Sequence, residues 1–319
     1  MGPIPRLERV SDLVLLAGAL PPRTVVIPGG DREDDLRLVE SARDHGIVER
    51  CLLVGDGQSI RRAAAAVGIR VPDEDIVATA DQEETARRTI ELVRDGTAEV
   101  ILKGNISTPI LNRAILGIRR RDTMSLVTLF DAAPIAGGRP LLLTDPGVTT
   151  VCDPRRMTGL IRNAIDLAHG VLGLERPRVA LLSANEKAIA SLPSTGLAKE
   201  LSAEVWDDAA VYGPLSFDLA VSPESIALKE GALSSAAAEV AGRADILVCP
   251  GIDAANILYK VIMELVRYGL GTSAGLTMGV AVPYVILSRA DNVETKLQSI
   301  ALCSLARERL DWAGGEATA

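Results

Sequence analysis

The chain is short of aromatic residues, at 3% of 319 positions, so its core has to be built from Ala, Val, Leu and Ile. Histidine is scarcer still. His45 and His169 sit far apart in helix-like stretches, which excludes a His-rich metal site and argues against a His-dependent catalytic triad. The four cysteines, Cys51, Cys152, Cys249 and Cys303, form no C-x-x-C pair and read as reduced thiols of a cytoplasmic protein. An excess of basic charge is missing too. The net charge of -8 and pI near 5.0 argue against nucleic acid or an anionic membrane as partner, while leaving room for a local basic pocket. No apolar run approaches the ~20 residues that span a bilayer, so no membrane segment is expected. The N-terminal stretch has no apolar segment behind basic residues, and Gly18 and Pro21 break it, so no signal peptide is expected. The phosphate-binding G-x-x-x-x-G-K-S/T loop, H-E-x-x-H and G-x-S-x-G are all missing. "VGDGQSI" holds only a fragment of a dinucleotide fingerprint and reads as a βα turn.

What is there is 48% hydrophobic and 24% charged, the balance of a globular protein large enough for two domains. Continuous apolar runs of strand length alternate with segments of helical period. The runs are "RTVVIPGG", "CLLVGDG", "EVILKG", "SLVTLF", "RPLLLTDPG", "RVALLSAN", "ADILVCPG" and "VPYVILSR". Unbroken β-branched runs indicate strands buried on both faces, hence an α/β fold with mostly parallel sheets and helices on both faces. Between two of them, Asp81 and Glu84 form a capping box, Ala86, Ile90 and Val93 share a face, and Gly96 supplies the stop.

Ligands of such sheets bind beyond the carboxyl ends of strands, and four strand ends are polar. In "EVILKGNISTP", Lys103 offers a point charge and Gly104 permits close backbone approach. Thr108 is expected as the N-cap of a helix with Pro109 in its first turn, a start that is either an anion seat or a plain capped helix. In "VPYVILSRADNVE", Ser288 and Arg289 end a strand, and Asp291 and Glu294 read as a second capping box. The Arg289 fork suits bidentate phosphate binding as well as a salt bridge to a neighbouring carboxylate. In "PGIDAANILYK", Asn256 and Lys260 stand four apart on one helix face, which is a site or a solvated surface. In "LLLTDPG", Asp145 is a ligand contact or a turn residue.

The stretches "KGNIST", "LLLTDPG", "PRVALLSANE", "YGPLSFDLAVS", "ADILVCPGIDAANILYK" and "PYVILSRADNVETKLQSIAL" follow one another as in the phosphate acetyl/butyryltransferase family, and the chain resembles its phosphate butyryltransferase branch. The resemblance covers most of the chain from Glu99 to Leu305. It implies a two-domain fold like that of isocitrate and isopropylmalate dehydrogenases, with the active site in an interdomain cleft. One domain would be residues 1–130 with 280–319 and the other 131–279. It further implies a cytoplasmic homodimer that converts acyl-CoA and phosphate to acyl phosphate and CoA, with CoA as substrate, no cofactor and no metal. On this resemblance Arg289 holds phosphate and Ser288 donates to phosphate or to the developing oxyanion. Lys103, Gly104, Thr108, Asp145, Asn256 and Lys260 are the expected substrate contacts. The general-base Asp of the acetyl branch is replaced by Thr295, which leaves the adjacent Glu294 as the candidate base. Two rivals follow: a ligand-binding or regulatory relative without turnover, and a metal- and NAD-dependent β-decarboxylating dehydrogenase. The second would need an aspartate cluster and a dinucleotide site, which the sequence does not offer.

Overall fold

The structure, a computed structural model, describes residues 5–229, 235–286 and 291–312. Ser288 and Arg289 lie outside the described residues. The strands are β1 (Arg23–Pro28), β2 (Val48–Gly55), β3 (Ile76–Ala78), β4 (Val100–Leu102), β5 (Ser125–Ala132), β6 (Leu141–Thr144), β7 (Arg178–Leu182), β8 (Ala210–Leu215), β9 (Ile246–Val248), β10 (Gly271–Met278) and β11 (Tyr284–Val285). The chain divides into two compact units. The first comprises Ser11–Arg121 with the described part of Gly275–Ala319, and the second comprises Asp122–Ala274 with the described part of Met1–Val10.

In the first unit the strands run in the order β3-β2-β1-β4-β11-β10. All neighbours whose register is given are parallel except β10 and β11, which pair antiparallel with Thr277 opposite Tyr284. Val25, Val26, Ile27, Val100, Ile101 and Leu102 are all buried. This is what an unbroken apolar run predicts when helices cover the sheet. The second unit has the order β5-β6-β9-β7-β8, with only β5 and β6 antiparallel. Its core gathers Phe130, Leu141, Leu143, Leu215, Leu247 and Ile262.

All eight expected runs contain strands, and three strands escape the sequence reading. β3 is three residues long, β8 carries Gly213-Pro214, and β10 ("GTSAGLTM") is built of small residues without a β-branched run. The expected boundary at residue 130 puts "SLVTLF" in the first domain, but β5 pairs with β6 from Val127 opposite Thr144 to Phe130 opposite Leu141. That ladder carries it into the second unit, so the division falls before Asp122 rather than after residue 130.

Helix caps show where local sequence suffices. In the Gln82–Arg94 helix, Asp81 accepts from Glu84 N at 2.8 Å and Glu84 accepts from Ala80 N at 2.8 Å. Ala86, Ile90 and Val93 are buried, and Gly96 takes φ 79° just beyond the end. The two other cap expectations are off by one residue. The helix Thr108–Ile115 has Ser107 at its N-cap position, with no side-chain cap bond, so Thr108 is its first helical residue. The helix Val293–Arg309 is capped by Asn292, whose Oδ1 accepts from Thr295 N at 2.7 Å; Asp291 and Glu294 do not form the box. Asn292→Ala is therefore expected to lower stability by about 1 kcal/mol, the usual worth of a cap. Urea melts of the variant beside the wild type check this.

Candidate active site

In the first unit β4 ends between two neighbours. Lys103 N donates to Val285 O at 3.0 Å and so extends the pairing with β11, while Gly104 N donates to Pro28 O at 3.1 Å and Asn105 N to Gly29 O at 2.7 Å beyond β1. A Cβ on Gly104 would stand 2.4 Å from Gly29 O. The close approach that glycine allows here is therefore to the neighbouring turn of the chain itself. Lys103 is half-buried, with its ammonium 3.3 Å from Gly104 O. Five residues after Lys103, the Thr108–Ile115 helix begins with no side-chain cap, and Ser107 N is bonded to Gln82 Oε1 at 3.0 Å. A cation in the loop that leads into a helix start without a side-chain cap is a combination suited to an anion. Tyr284 fixes this geometry: buried in β11, it donates to Asn112 Oδ1 of the same helix at 3.0 Å.

The start of the Val293–Arg309 helix belongs to this unit. Glu294 is exposed, and Thr295 is buried. Thr295 Oγ1 has no hydrogen-bond partner among the described residues, and the Thr295 carbonyl accepts from Ser299 Oγ at 2.8 Å. Sequence reasoning passed over Asp35. It sits buried in the first turn of the Glu33–Asp44 helix, with Arg32 Nε 3.7 Å from its Oδ2. Burial pushes its carboxyl above the usual range, against the pull of Arg32, Lys296 and Lys103. The acidic run "DREDD" carried no period that would have marked one of its members as buried.

In the second unit, Asp145 follows β6 and is 3% exposed. Its Oδ1 accepts from Leu126, Gly147 and Val148 N at 3.0–3.1 Å, and its Oδ2 accepts from Thr149 N at 2.7 Å. Burial pushes this carboxyl up, and the four amides pull it back. These bonds order the Pro146–Thr149 turn, so of the two readings left open the turn-forming one describes the contacts seen. Asn256 donates to Pro146 O at 2.9 Å and ties the same turn to the Ile252–Arg267 helix. Lys260, one turn further, is exposed with its ammonium 4.8 Å from the Tyr259 ring centroid. The unit holds one more polar cluster, beyond β7 and β8. Glu186 accepts from Ser216 Oγ at 3.0 Å and from Lys229 Nζ at 2.8 Å, and Lys229 holds its carboxyl below the usual range.

The sites expected from sequence thus fall into two groups. Lys103, Gly104 and Thr108 follow the end of β4 in the first unit, and Asp145 and Asn256 share the turn after β6 in the second. Among the described residues no group of three or more His, Cys, Asp and Glu is placed to hold a metal ion. No helix of these residues is long and apolar enough to cross a membrane.

Residues 74–304 match the model of the phosphate acetyl/butaryl transferase family. The chain belongs to this family. A phosphate butyryltransferase of Clostridium acetobutylicum is 31% identical over 308 residues, which is 94% of this chain and 98% of the relative. A phosphate acetyltransferase of Rhizobium meliloti is 31% identical over 305 residues, 93% of each. Among solved structures, a branched-chain phosphotransacylase from Enterococcus faecalis superposes with a TM-score of 0.74 at 31% identity, covering 90% of this chain and 99% of that one. As a member of the phosphate acetyl/butaryl transferase family the chain is an acyltransferase with the family's α/β fold. Both groups of strand-end residues lie within the matched residues.

Proposed function

We propose that the chain interconverts a short-chain acyl-CoA and phosphate with an acyl phosphate and CoA, by direct transfer in a ternary complex. The observation that carries this reading is the end of β4. Lys103 stands there in the loop that leads into a helix without a side-chain cap, in a chain whose match to phosphate butyryltransferase runs nearly end to end. CoA is a substrate, and no resident cofactor or metal is invoked. In the direction of acyl-CoA synthesis the thiolate sulfur attacks the acyl-phosphate carbonyl carbon. The C–S bond forms, the tetrahedral oxyanion collapses, and the C–O bond to phosphate breaks with the electron pair leaving on phosphate. Arg289 and Lys103 neutralise that phosphate, and Ser288 and Thr108 donate to it or to the oxyanion. Asn256 and Asp145 shape the second strand end rather than meet the phosphate, and Lys260 supplies a further positive charge. The homodimeric state and the cytoplasmic location belong to the same proposal.

Thiol release from acyl-CoA tests it. Release should require phosphate and should persist with a chelator present and NAD absent. A panel from acetyl-CoA to octanoyl-CoA should peak at a short chain. Release that is independent of phosphate, or that needs metal or NAD, sinks the proposal. A second reading, a relative that binds without turnover, draws on Thr295 alone, a group that does not titrate at the position of the acetyl-branch base. Binding of acyl-CoA with no turnover at any pH would favour it.

A further inference from the structure

The parallel strand ends of the first unit close around a cavity of about 190 Å³ that the proposed acyl transfer does not use. The order β3-β2-β1-β4 reverses between β1 and β4, and open α/β sheets bind ligands beyond the carboxyl ends at such a reversal. Two glycines bring bare backbone to the cavity. Gly29, with φ 73°, has no room for a Cβ, which would stand 2.4 Å from the Asn105 backbone, and Gly55 takes φ 156° at the end of β2.

The polar lining is rich in acceptors. Asp56 directly follows β2 and accepts from Ser59 N through Oδ1 at 2.7 Å. Hydrogen bonds from Ser59 hold its carboxyl below the usual range, so it stands as a carboxylate. Asp31, beyond β1, has a buried Oδ1 with no hydrogen-bond partner among the described residues, while its Oδ2 has only a long contact from Asn105 Nδ2 at 3.4 Å. Asp81 adds a third carboxylate to the lining. Three carboxylates repel a phosphate, and the acidic first turn of the helix after β1, with Glu33, Asp34 and Asp35, closes the seat where this topology holds a pyrophosphate. The described residues hold no cluster suited to a metal ion either. What fits is a group that donates hydrogen bonds to carboxylates, and this topology places a ribose diol at such a position. The cavity lies below the ~300–1,000 Å³ of sites for drug-sized ligands, so it takes one fragment of a larger molecule or one small molecule.

We propose that this cavity binds the unphosphorylated 2′,3′-diol of a ribonucleoside, with the two hydroxyls donating to Asp56 and to the buried oxygen of Asp31. A carboxylate at the end of the second strand is where doubly wound sheets hold a ribose hydroxyl. CoA does not meet this description, because its ribose carries a 3′-phosphate. The site is therefore separate from acyl transfer, and its ligand is a nucleoside that presents a free diol and no phosphate beside it.

Titration calorimetry on the full chain, with adenosine, 2′-deoxyadenosine, 3′-AMP, NAD and CoA as probes, tests this. Adenosine should bind, and 2′-deoxyadenosine should bind at least ~10-fold more weakly, the worth of one hydrogen bond to a charged acceptor. 3′-AMP should bind more weakly than adenosine. NAD should bind more weakly than adenosine, because its pyrophosphate meets the carboxylates, and tighter NAD binding that Asp56→Asn weakens would overturn the assignment. Asp56→Asn keeps a capping side chain on the Gly57–Val67 helix and should weaken adenosine at least ~10-fold while leaving thiol release from acyl-CoA unchanged. Asp31→Asn should weaken adenosine without touching a cap. The proposal is overturned by no heat with adenosine, by equal affinity for the deoxynucleoside, or by binding that neither substitution moves. None of these outcomes bears on whether acyl-CoA is turned over, so the two readings fail separately.

Discussion

Arg289→Lys is expected to lower kcat/KM by about 10²-fold or more, with thermal stability unchanged. Arginine presents a rigid planar fork that meets two phosphate oxygens at once, whereas lysine offers one compact charge. Net charge survives the substitution, so long-range attraction of phosphate is retained and the loss reports geometry. Removing one aligned donor from a developing charge costs on the order of 3 kcal/mol, which corresponds to about a hundredfold in rate. Lys103 does not make up the difference, because its ammonium is half-buried and lies 3.3 Å from Gly104 O. Steady-state kinetics in both directions decide the matter. Wild-type values with lysine at 289 would remove Arg289 from the site and leave the phosphate to Lys103 and the Thr108 helix start.

Strands were legible where burial on both faces demanded an unbroken apolar run, as at Val25–Ile27 and Leu141–Leu143. They were illegible where small residues met the same demand. Ser273, Ala274 and Thr277 of β10 are fully buried, yet their composition reads as a loop. The Asp81 cap was legible because its partner Glu84 leads directly into the apolar face of Ala86, Ile90 and Val93. At "ADNVETK" two frames fit, Asp291 with Glu294 and Asn292 with Thr295. A one-residue shift turns a helix by about 100°, and the face that must be buried, including Thr295, Gln298, Ser299 and Leu302, selects the Asn292 frame. Tertiary packing made that choice, and no local rule contains it. The site was legible in the same partial way. Asp145 could be placed at a strand end, but its role depends on Leu126 N, nineteen residues away across the β5–β6 ladder. Asp35 was missed because three neighbouring acids look alike until one of them is buried.

Glu294→Gln is expected to leave turnover within about tenfold of the wild type, well short of the ~10²–10⁴ that loss of a general base costs. Since Asn292 caps the helix, Glu294 has no capping duty, and the substitution should cost no stability. The carboxylate at 294 nonetheless does not stand in for an acid at 295, because adjacent helical residues project about 100° apart. Thr295 points into the protein and Glu294 lies exposed. Thr295 itself does not titrate in this range. The thiol then has to be activated by its surroundings. A free thiol with a pKa near ~8.5 is only a few per cent thiolate at neutral pH. On the proposed reading, Arg289 and Lys103 would favour the charged form of a neighbouring acid and so lower that barrier without accepting a proton. This route predicts a rate that rises with pH towards the thiol pKa in both the wild type and Glu294→Gln, with the two profiles parallel. A loss above roughly 10³-fold in the variant, with acyl-CoA binding intact, would make Glu294 the base. It would also mean that the helix start moves when substrate binds, since only then would position 294 reach the thiol.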